Sequence, residues 1–233
     1  MEGLPEDGQW RVALQTMEFL IVLPILLLSV VLHEVAHAQV AKWEGDDTAY
    51  RLGRVTLNPI PHLDLMGSLI VPLVLFLLPG DFLFGWAKPV PVNPRNFRDY
   101  KWGDIRVSLA GITANLLLAL LLTLIVAALV KANTLWGGVG GVLPVLSRAA
   151  YIGVFLNLIL AFFNLIPIPP LDGSHVVFHL LPRDLAVKYR EMGRYGIGIL
   201  MLLVFFFPGG INFLLWPVHF LMSMVDRFIG FWI

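Results

Sequence analysis

Residues 17–43 of the chain read MEFLIVLPILLLSVVLHEVAHAQVAKW, a long apolar run with His33-Glu34-Val35-Ala36-His37 near its end. As a helix the run would be about 40 Å long, which is enough to cross a bilayer. Residues at i and i+4 share one helix face, so His33 and His37 can offer two imidazoles to one ion, with Glu34 beside them. This pattern is typical of a zinc hydrolase, in which two histidines hold the metal, an open position holds water and the glutamate accepts the water's proton.

The membrane setting strengthens this interpretation. An ionisable side chain near the middle of a membrane helix costs about 2.5 to 3.5 kcal/mol on insertion scales. Glu34, flanked by two histidines in an apolar run, therefore needs a compensating partner, and a bound cation supplies one. The setting favours a metal site over a chance match to a five-residue pattern.

Composition places the whole chain in the membrane class. Of its 233 residues 58% are hydrophobic and only 14% are charged, and the mean hydropathy is +0.81. This predicts an all-α polytopic membrane protein that forms one membrane-embedded unit over residues 1–233. Within it we expect a polar N-terminal segment (1–16), a catalytic core (17–173) and C-terminal membrane helices (174–233).

Charge and cysteine content limit the chemistry. The chain has no cysteine, which excludes disulfides, thiolate catalysis and thiolate metal ligands, so histidine and carboxylate must coordinate any metal. The formal net charge is zero, and nothing in this balance indicates a nucleic-acid partner.

Hydrophobic segments predict four to six transmembrane helices. After the first span, residues 107–130 and 149–166 read as full crossings, whereas residues 65–78 are short and contain Pro72, which favours a re-entrant helix. A glycine-rich loop is expected at 131–148 and a basic loop at 183–194. Two more apolar stretches, 195–207 and 211–225, follow as two short spans or a helical hairpin.

Two segments near the predicted site read as extended chain. Residues 49–57 have the composition of a short β-strand. Residues 80–104 contain three closely spaced prolines, which oppose a helix. We therefore expect a short extended or β segment near the active site.

The distribution of basic residues predicts the orientation. Suppose that the first span runs from outside to inside and that residues 65–78 do not cross. Then twelve basic residues fall inside and three outside, with Arg227 unassigned, which fits the positive-inside tendency. The three are Arg11, Lys131 and Arg148. We expect a multi-pass protein of the cell (plasma or inner) membrane with its site toward the cytoplasm.

A third ligand follows from this topology. The span at 149–166 ends in Asn164-Leu-Ile-Pro-Ile-Pro-Pro-Leu-Asp172-Gly173, where prolines must unwind the helix just before a carboxylate. His33, His37 and Asp172 then lie at the inner ends of helices of the same direction, so they can meet at one depth. Asp172 would complete a set of two histidines and one aspartate. The alternative is an Asp-Gly turn after a proline-rich stop.

These two motifs, with further similarity at residues 53–67, 85–95 and 110–115, resemble the site-2 proteases, which are intramembrane zinc metalloproteases. The resemblance is to the compact prokaryotic type without a PDZ-like insertion or CBS pair. It implies one zinc ion per chain, bound by His33, His37 and Asp172, with Glu34 as catalytic base and Asn164 holding the substrate or the developing oxyanion. It also implies cleavage of peptide bonds in or near transmembrane segments of other proteins. The oligomeric state stays open.

An extended substrate needs a backbone partner, because a helical substrate hides its carbonyl groups in its own hydrogen bonds. Residues 51–57 or 90–93 could pair with it by strand addition.

The other histidines leave alternatives open. His62 could act over the site as a gate or proton-transfer group, or lie hydrogen-bonded in an interfacial turn. His175 and His179 repeat the i, i+4 spacing, so they could form a second metal site or replace a ligand, but a helix with histidines facing water is favoured. His219 reads as an interfacial residue.

A second class of function uses the same ligands. The chain could be a non-proteolytic membrane metal-binding protein or a metal transporter. Glu34 favours the enzyme, because a transporter needs no residue to deprotonate water. A transporter would also be expected to carry ionisable groups along a route, and residues 107–130 and 149–166 contain no charged side chain.

Overall fold

The computed structural model describes residues 7–77, 87–136, 141–196, 198–200, 202 and 210–232. Helices dominate this part of the chain, and no strand occurs in it. The α-helices are α1 (Asp7–Glu44), α2 (Thr48–Arg51), α3 (Val71–Leu77), α4 (Tyr100–Leu135), α5 (Val142–Leu165), α6 (Gly173–Leu180), α7 (Arg183–Glu191) and α8 (Gly210–Gly230). The predicted all-α class is confirmed.

Three helices of the described ranges are long and apolar enough to cross a membrane: Leu20–Glu44 within α1, and the whole of α4 and α5. The protein is therefore a multi-pass membrane protein. The predicted total of four to six spans stays a prediction, because most of the apolar stretch at 195–207 lies outside the described residues.

Helices α1, α4 and α5 form the central bundle, and a buried polar contact joins α1 to α5. The Asn157 side-chain amide donates to Ser29 Oγ at 2.8 Å and to Gly153 O at 2.8 Å. Ser29 and Asn157 are both almost fully buried. Helix association in lipid depends on such hydrogen bonds and on close packing, since the lipid tails are as apolar as the helices.

Helix α8 packs along α4 and α5. Val218 and Met222 of α8 share a buried cluster with Ala119, Val154 and Leu158. Near the end of α8, Asp226 accepts a hydrogen bond of 2.8 Å from the Tyr151 hydroxyl, close to the start of α5. Arg227 therefore lies at the same end of the bundle as Arg148, which adds a fourth basic residue to the predicted outer side.

The short apolar segment begins and ends near one point, because the backbone N–H of Lys88 donates to His62 O at 2.9 Å. A π-helical turn (Leu65–Ile70) leads into α3, and the pair is only about 20 Å long. The re-entrant helix predicted at residues 65–78 stays a prediction, because residues 78–86 lie outside the described residues.

The strand predicted at residues 49–57 is wrong. Residues 48–51 form α2, and the N–H of Arg54 turns back to Ala49 O at 2.9 Å instead of facing a partner strand. Gly53 adopts φ +66°, a left-handed conformation that suits glycine and turns the chain. Strand propensity was outweighed here by local turn chemistry.

Several predicted boundaries also shift. The extended segment ends before Tyr100, because Asp99 caps α4 by accepting a 2.9 Å hydrogen bond from the Trp102 N–H. Residues 87–93 lack helix and turn, as expected from their prolines, and are called the extended segment from here on. Most of the loop predicted at 131–148 is helical, since α4 runs to Leu135 and α5 begins at Val142. Most of the basic loop at 183–194 is also helical, in α7 and a 3-10 turn.

Asp46 fastens the extended segment to the end of α1. Its side chain is fully buried and accepts hydrogen bonds from the Asn93 N–H at 2.7 Å and the Asn96 side-chain amide at 2.8 Å. Thr48 donates to the same carboxylate. Burial alone would raise the pKa of Asp46, but these hydrogen bonds outweigh it and hold the pKa below its ordinary value.

We expect Asp46→Asn to lower the free energy of unfolding by roughly 1 to 3 kcal/mol at neutral pH, because an amide donor would face the Asn93 N–H. A lowered pKa means that the carboxylate contributes its full stability above the ordinary value of 3.8 and loses it as pH falls through the folded value. The difference between wild type and variant should therefore shrink below about pH 4. Denaturant unfolding in mild detergent across pH measures it.

Asp47→Asn is the matched control, because Asp47 pairs with Arg51 on the exposed surface and should matter little. A pH-independent difference for Asp46→Asn would contradict this account.

Candidate metal centre

His33 and His37 lie one turn apart on α1, and their rings converge. Their Nε2 atoms are 2.9 Å apart. His33 Nδ1 lies 2.9 Å from Asn115 Oδ1, and His37 Nδ1 lies 2.6 Å from Val107 O, both on α4. Because these oxygens only accept, each Nδ1 carries the proton, and in the neutral ring each Nε2 presents a lone pair.

Asp172 supplies a third donor atom. Its Oδ2 lies 3.1 Å from His33 Nε2 and 3.3 Å from His37 Nε2. The loop that carries Asp172 leaves the end of α5 and is held by the Tyr189 hydroxyl, which donates to Pro167 O at 2.8 Å.

This donor set fits a metal ion. Among the described residues, His33, His37 and Asp172 form the one group of such side chains whose donor atoms all lie within 4.8 Å of one another. Asp172 Oδ2 is buried and has no hydrogen-bond partner. Two lone pairs and a carboxylate oxygen this close repel one another unless a cation or proton lies among them. Three protein ligands with room for a fourth is the pattern of catalytic zinc.

Gly111 of α4 lets the two rings approach the helix backbone. A methyl group at this position would lie 2.5 Å from both His33 Cε1 and His37 Nε2, closer than carbon and nitrogen can pack. Only glycine leaves this space free, so the small residue is part of the site's construction.

Glu34 lies beside this donor set without joining it. Its Oε2 accepts a 2.8 Å hydrogen bond from the backbone N–H of Val90 in the extended segment. That segment is itself fixed, because Arg54 donates to Lys88 O at 2.8 Å and Asp46 holds Asn93. The Glu34 carboxylate is therefore oriented by the extended segment, which lies outside α1.

Two supporting residues were not predicted as part of the site. Asn115 lies four residues, about one helical turn, after Gly111, and this spacing was the available signal. Val107 acts through its backbone carbonyl, which leaves no trace in the sequence.

The structure gives two predicted substrate-site residues other contacts. The Asn164 side-chain amide donates to Leu160 O, one turn back in its own helix, at 2.9 Å. His62 is fully buried, and its Nε2–H donates to Thr56 O at 3.0 Å. Neither makes a hydrogen bond to His33, His37 or Asp172 in the described part of the chain.

His175 and His179 do lie on a helix, α6, but they do not both face water as predicted. Both rings contact Oδ2 of Asp104 on α4, at 3.1 and 2.8 Å, and the His179 side chain is only 6% exposed. The sequence of α6 could not reveal this contact, because its partner Asp104 lies 71 residues from His175 and 75 residues from His179 in the chain.

Comparison with known proteins identifies the family. The sequence model described as peptidase family M50 matches residues 141–205. The protein named "Putative zinc metalloprotease YwhC" of Bacillus subtilis is 38% identical over 207 residues, which cover 88% of this chain and 87% of that protein. The chain belongs to peptidase family M50.

Further relatives agree with this assignment. The proteins named "Putative zinc metalloprotease Rip2" of Mycolicibacterium smegmatis and Mycobacterium tuberculosis (strain H37Rv) are 34% and 35% identical over 157 and 162 residues. These matches cover 66% of this chain and 55% of each relative. No solved structure matched the chain. Membership in M50, the site-2 protease family, makes this protein a zinc metalloprotease, and His33, His37 and Asp172 are a group that could hold its zinc.

We expect Gly111→Ala to weaken zinc binding by at least about tenfold, because the added methyl group must push the two rings apart, and overpacking costs about 1 to 3 kcal/mol. Gly153→Ala is the control, since a methyl there meets the flexible end of Leu122 at 2.8 Å. Zinc content of the purified variants, measured against a buffered series of free zinc, gives the comparison. Equal zinc affinity in both variants would contradict the close packing at Gly111.

Proposed function

We propose that His33, His37 and Asp172 bind one zinc ion per chain and that Glu34 is the general base in hydrolysis of peptide bonds in or near transmembrane segments of membrane proteins. One observation carries the proposal: three donor atoms converge within 3.3 Å, while the opposite ring nitrogen of each histidine is bonded to an oxygen of α4. Such outer bonds fix the tautomer and orientation of a ligating histidine.

The bound zinc would supply Lewis-acid chemistry, polarising the scissile carbonyl and activating water. Glu34 is adjacent in sequence to His33 and accepts the proton of the attacking water, then returns it to the leaving amine. The Val90 N–H bond keeps this carboxylate aimed while leaving its second oxygen able to accept a proton. His33, His37 and Asp172 contribute position and charge rather than proton transfer.

The location of the group supports a substrate in the membrane. The two histidines belong to a helix that is long and apolar enough to cross the bilayer, and Asp172 follows another such helix, α5. A substrate helix must unwind to expose its carbonyl groups. Residues 90–93 remain the candidate for pairing with the extended substrate, whereas residues 51–57 form α2 and a turn.

Asn164 and His62 stay predictions as substrate or oxyanion residues. Each is bonded within its own local segment through one side-chain nitrogen, His62 Nε2 to Thr56 O and Asn164 Nδ2 to Leu160 O.

We place the metal end of the bundle on the cytoplasmic side of the cell membrane. Residues 42–54, 88–106 and 183–194 lie toward that end, and they carry twelve of the sixteen lysine and arginine residues. The positive-inside tendency then sets the direction.

We expect Glu34→Gln to retain zinc and to lower cleavage of a single-span reporter by at least about 100-fold, because a general base contributes about 10² to 10⁴ in rate. His33→Ala should lose both zinc and cleavage. The assay uses the purified full chain in liposomes, with zinc measured on every sample.

Lys101→Gln, an exposed change at the same end of the bundle, serves as the control and should cut normally. Cleavage by Glu34→Gln at the wild-type rate would overturn the assignment of the base. Zinc binding with no cleavage of several unrelated reporters by the wild type would favour the non-proteolytic alternative.

Orientation can be tested because the chain has no cysteine of its own. Arg51→Cys and Lys131→Cys each place one thiol at an exposed position, at opposite ends of the bundle. We expect a membrane-impermeant maleimide to label Lys131→Cys in intact cells and Arg51→Cys only after the membrane is opened. The opposite order would place the metal end outside.

A further inference from the structure

A buried aspartate on α4 is bonded to two histidines of α6. Oδ2 of Asp104 lies 3.1 Å from His175 Nδ1 and 2.8 Å from His179 Nε2. Asp104 is 3% exposed, the His179 side chain is 6% exposed and the His175 side chain is 40% exposed. The His179 ring also packs edge-on against Tyr100 at the start of α4, with ring centroids 5.4 Å apart.

These three side chains are not arranged as a second metal site. Among the described residues, the donor atoms of three such side chains lie within 4.8 Å of one another at His33, His37 and Asp172 and not at this cluster. Both imidazole nitrogens that face Asp104 must carry protons, since a carboxylate oxygen accepts. The cluster is therefore a pair of hydrogen bonds that join two helices.

The cluster matters because of what α6 carries. Asp172 directly precedes Gly173, the first residue of α6, and occupies the cap position with helical dihedral angles (φ −58°, ψ −41°). Its side chain makes no capping hydrogen bond to α6. A short helix of eight residues is a stiff unit, so fixing α6 at His175 and His179 also fixes the backbone from which Asp172 extends.

Helix α4 thus supplies a hydrogen-bonding group that supports each of the three donor residues. Val107 O holds His37, Asn115 holds His33, and Asp104 holds the helix that follows Asp172. For the two histidines the contact is direct. For Asp172 no equivalent contact exists among the described residues: its Oδ2 lies 3.1 and 3.3 Å from the two histidine Nε2 atoms and has no hydrogen-bond partner.

We propose that Asp104 is a positioning residue for the zinc site, acting through His179 and His175 to hold Asp172 at the distance that His33 and His37 require. Asp104 touches neither substrate nor the proposed zinc ligands. The inference rests on the proposed function in one respect, the assignment of Asp172 as a ligand.

The first test is the zinc dissociation constant of the full chain, measured by competition with a chromogenic chelator. Asp104→Ala should weaken zinc binding by about 10- to 100-fold, the usual effect of removing an outer-shell partner. His179→Ala should have a similar effect, and His175→Ala a smaller one, since that ring is half exposed. Arg106→Gln, two residues further along α4 in an exposed ion pair with Glu44, should stay within about twofold.

A double-mutant cycle separates positioning from general damage to the fold. In Asp172→Asn, which keeps the two histidines, zinc binding is already weakened. If Asp104 acts through Asp172, adding Asp104→Ala to this background should change the zinc dissociation constant by less than about threefold. A further loss as large as in the wild-type background would show a merely structural effect and overturn the proposal.

The outcomes distinguish this inference from the ligand assignment. If His33→Ala and Asp172→Asn bind zinc like the wild type, the proposed zinc site is wrong. If they lose zinc while Asp104→Ala and His179→Ala bind it normally, the ligands stand and the positioning role fails. If thermal unfolding shows that Asp104→Ala does not fold, the double-mutant cycle is run with His175→Ala instead. The absence of any effect of His175→Ala on zinc binding would then contradict the proposal.

Discussion

The structure depends on the close approach of two imidazole nitrogens and a carboxylate oxygen at the end of an apolar bundle. With their Nε2 atoms 2.9 Å apart and Asp172 Oδ2 within 3.3 Å of both, these groups repel one another in a medium that screens charge poorly. A cation removes that repulsion, and the family supplies its identity as zinc. The glycine at position 111, the proline-rich end of α5 and the fixed extended segment all serve this one requirement.

Helix α4 is the frame against which the site is built. It contributes a backbone carbonyl to one histidine, an amide to the other, a gap for both rings and a carboxylate that holds α6. A long helix that crosses the bilayer is a stiffer reference than a loop, and this suits a site whose proposed ligands His37 and Asp172 lie 135 residues apart in sequence. The extended segment adds the remaining constraint, since its Val90 N–H holds Glu34.

The sequence was sufficient for the parts of the site that depend on periodicity and composition. The i, i+4 spacing placed His33 and His37 together, and the proline-rich break with the charge distribution brought Asp172 to the same depth. It was insufficient where contacts run through backbone atoms or across long separations, as at Val107 and Val90. The strand expected at residues 49–57 failed because the local bonds from Thr48 to Asp46 and the left-handed Gly53 favour a helical turn.

X-ray absorption at the zinc edge of the purified protein would show whether His33, His37 and Asp172 together bind zinc. We expect two imidazole ligands with Zn–N distances of about 2.0 to 2.1 Å, completed by oxygen. One imidazole contribution should disappear from His37→Ala, in whatever zinc that variant retains. A spectrum with no imidazole ligands, or one unchanged in His37→Ala at equal zinc content, would mean that these residues do not bind the zinc.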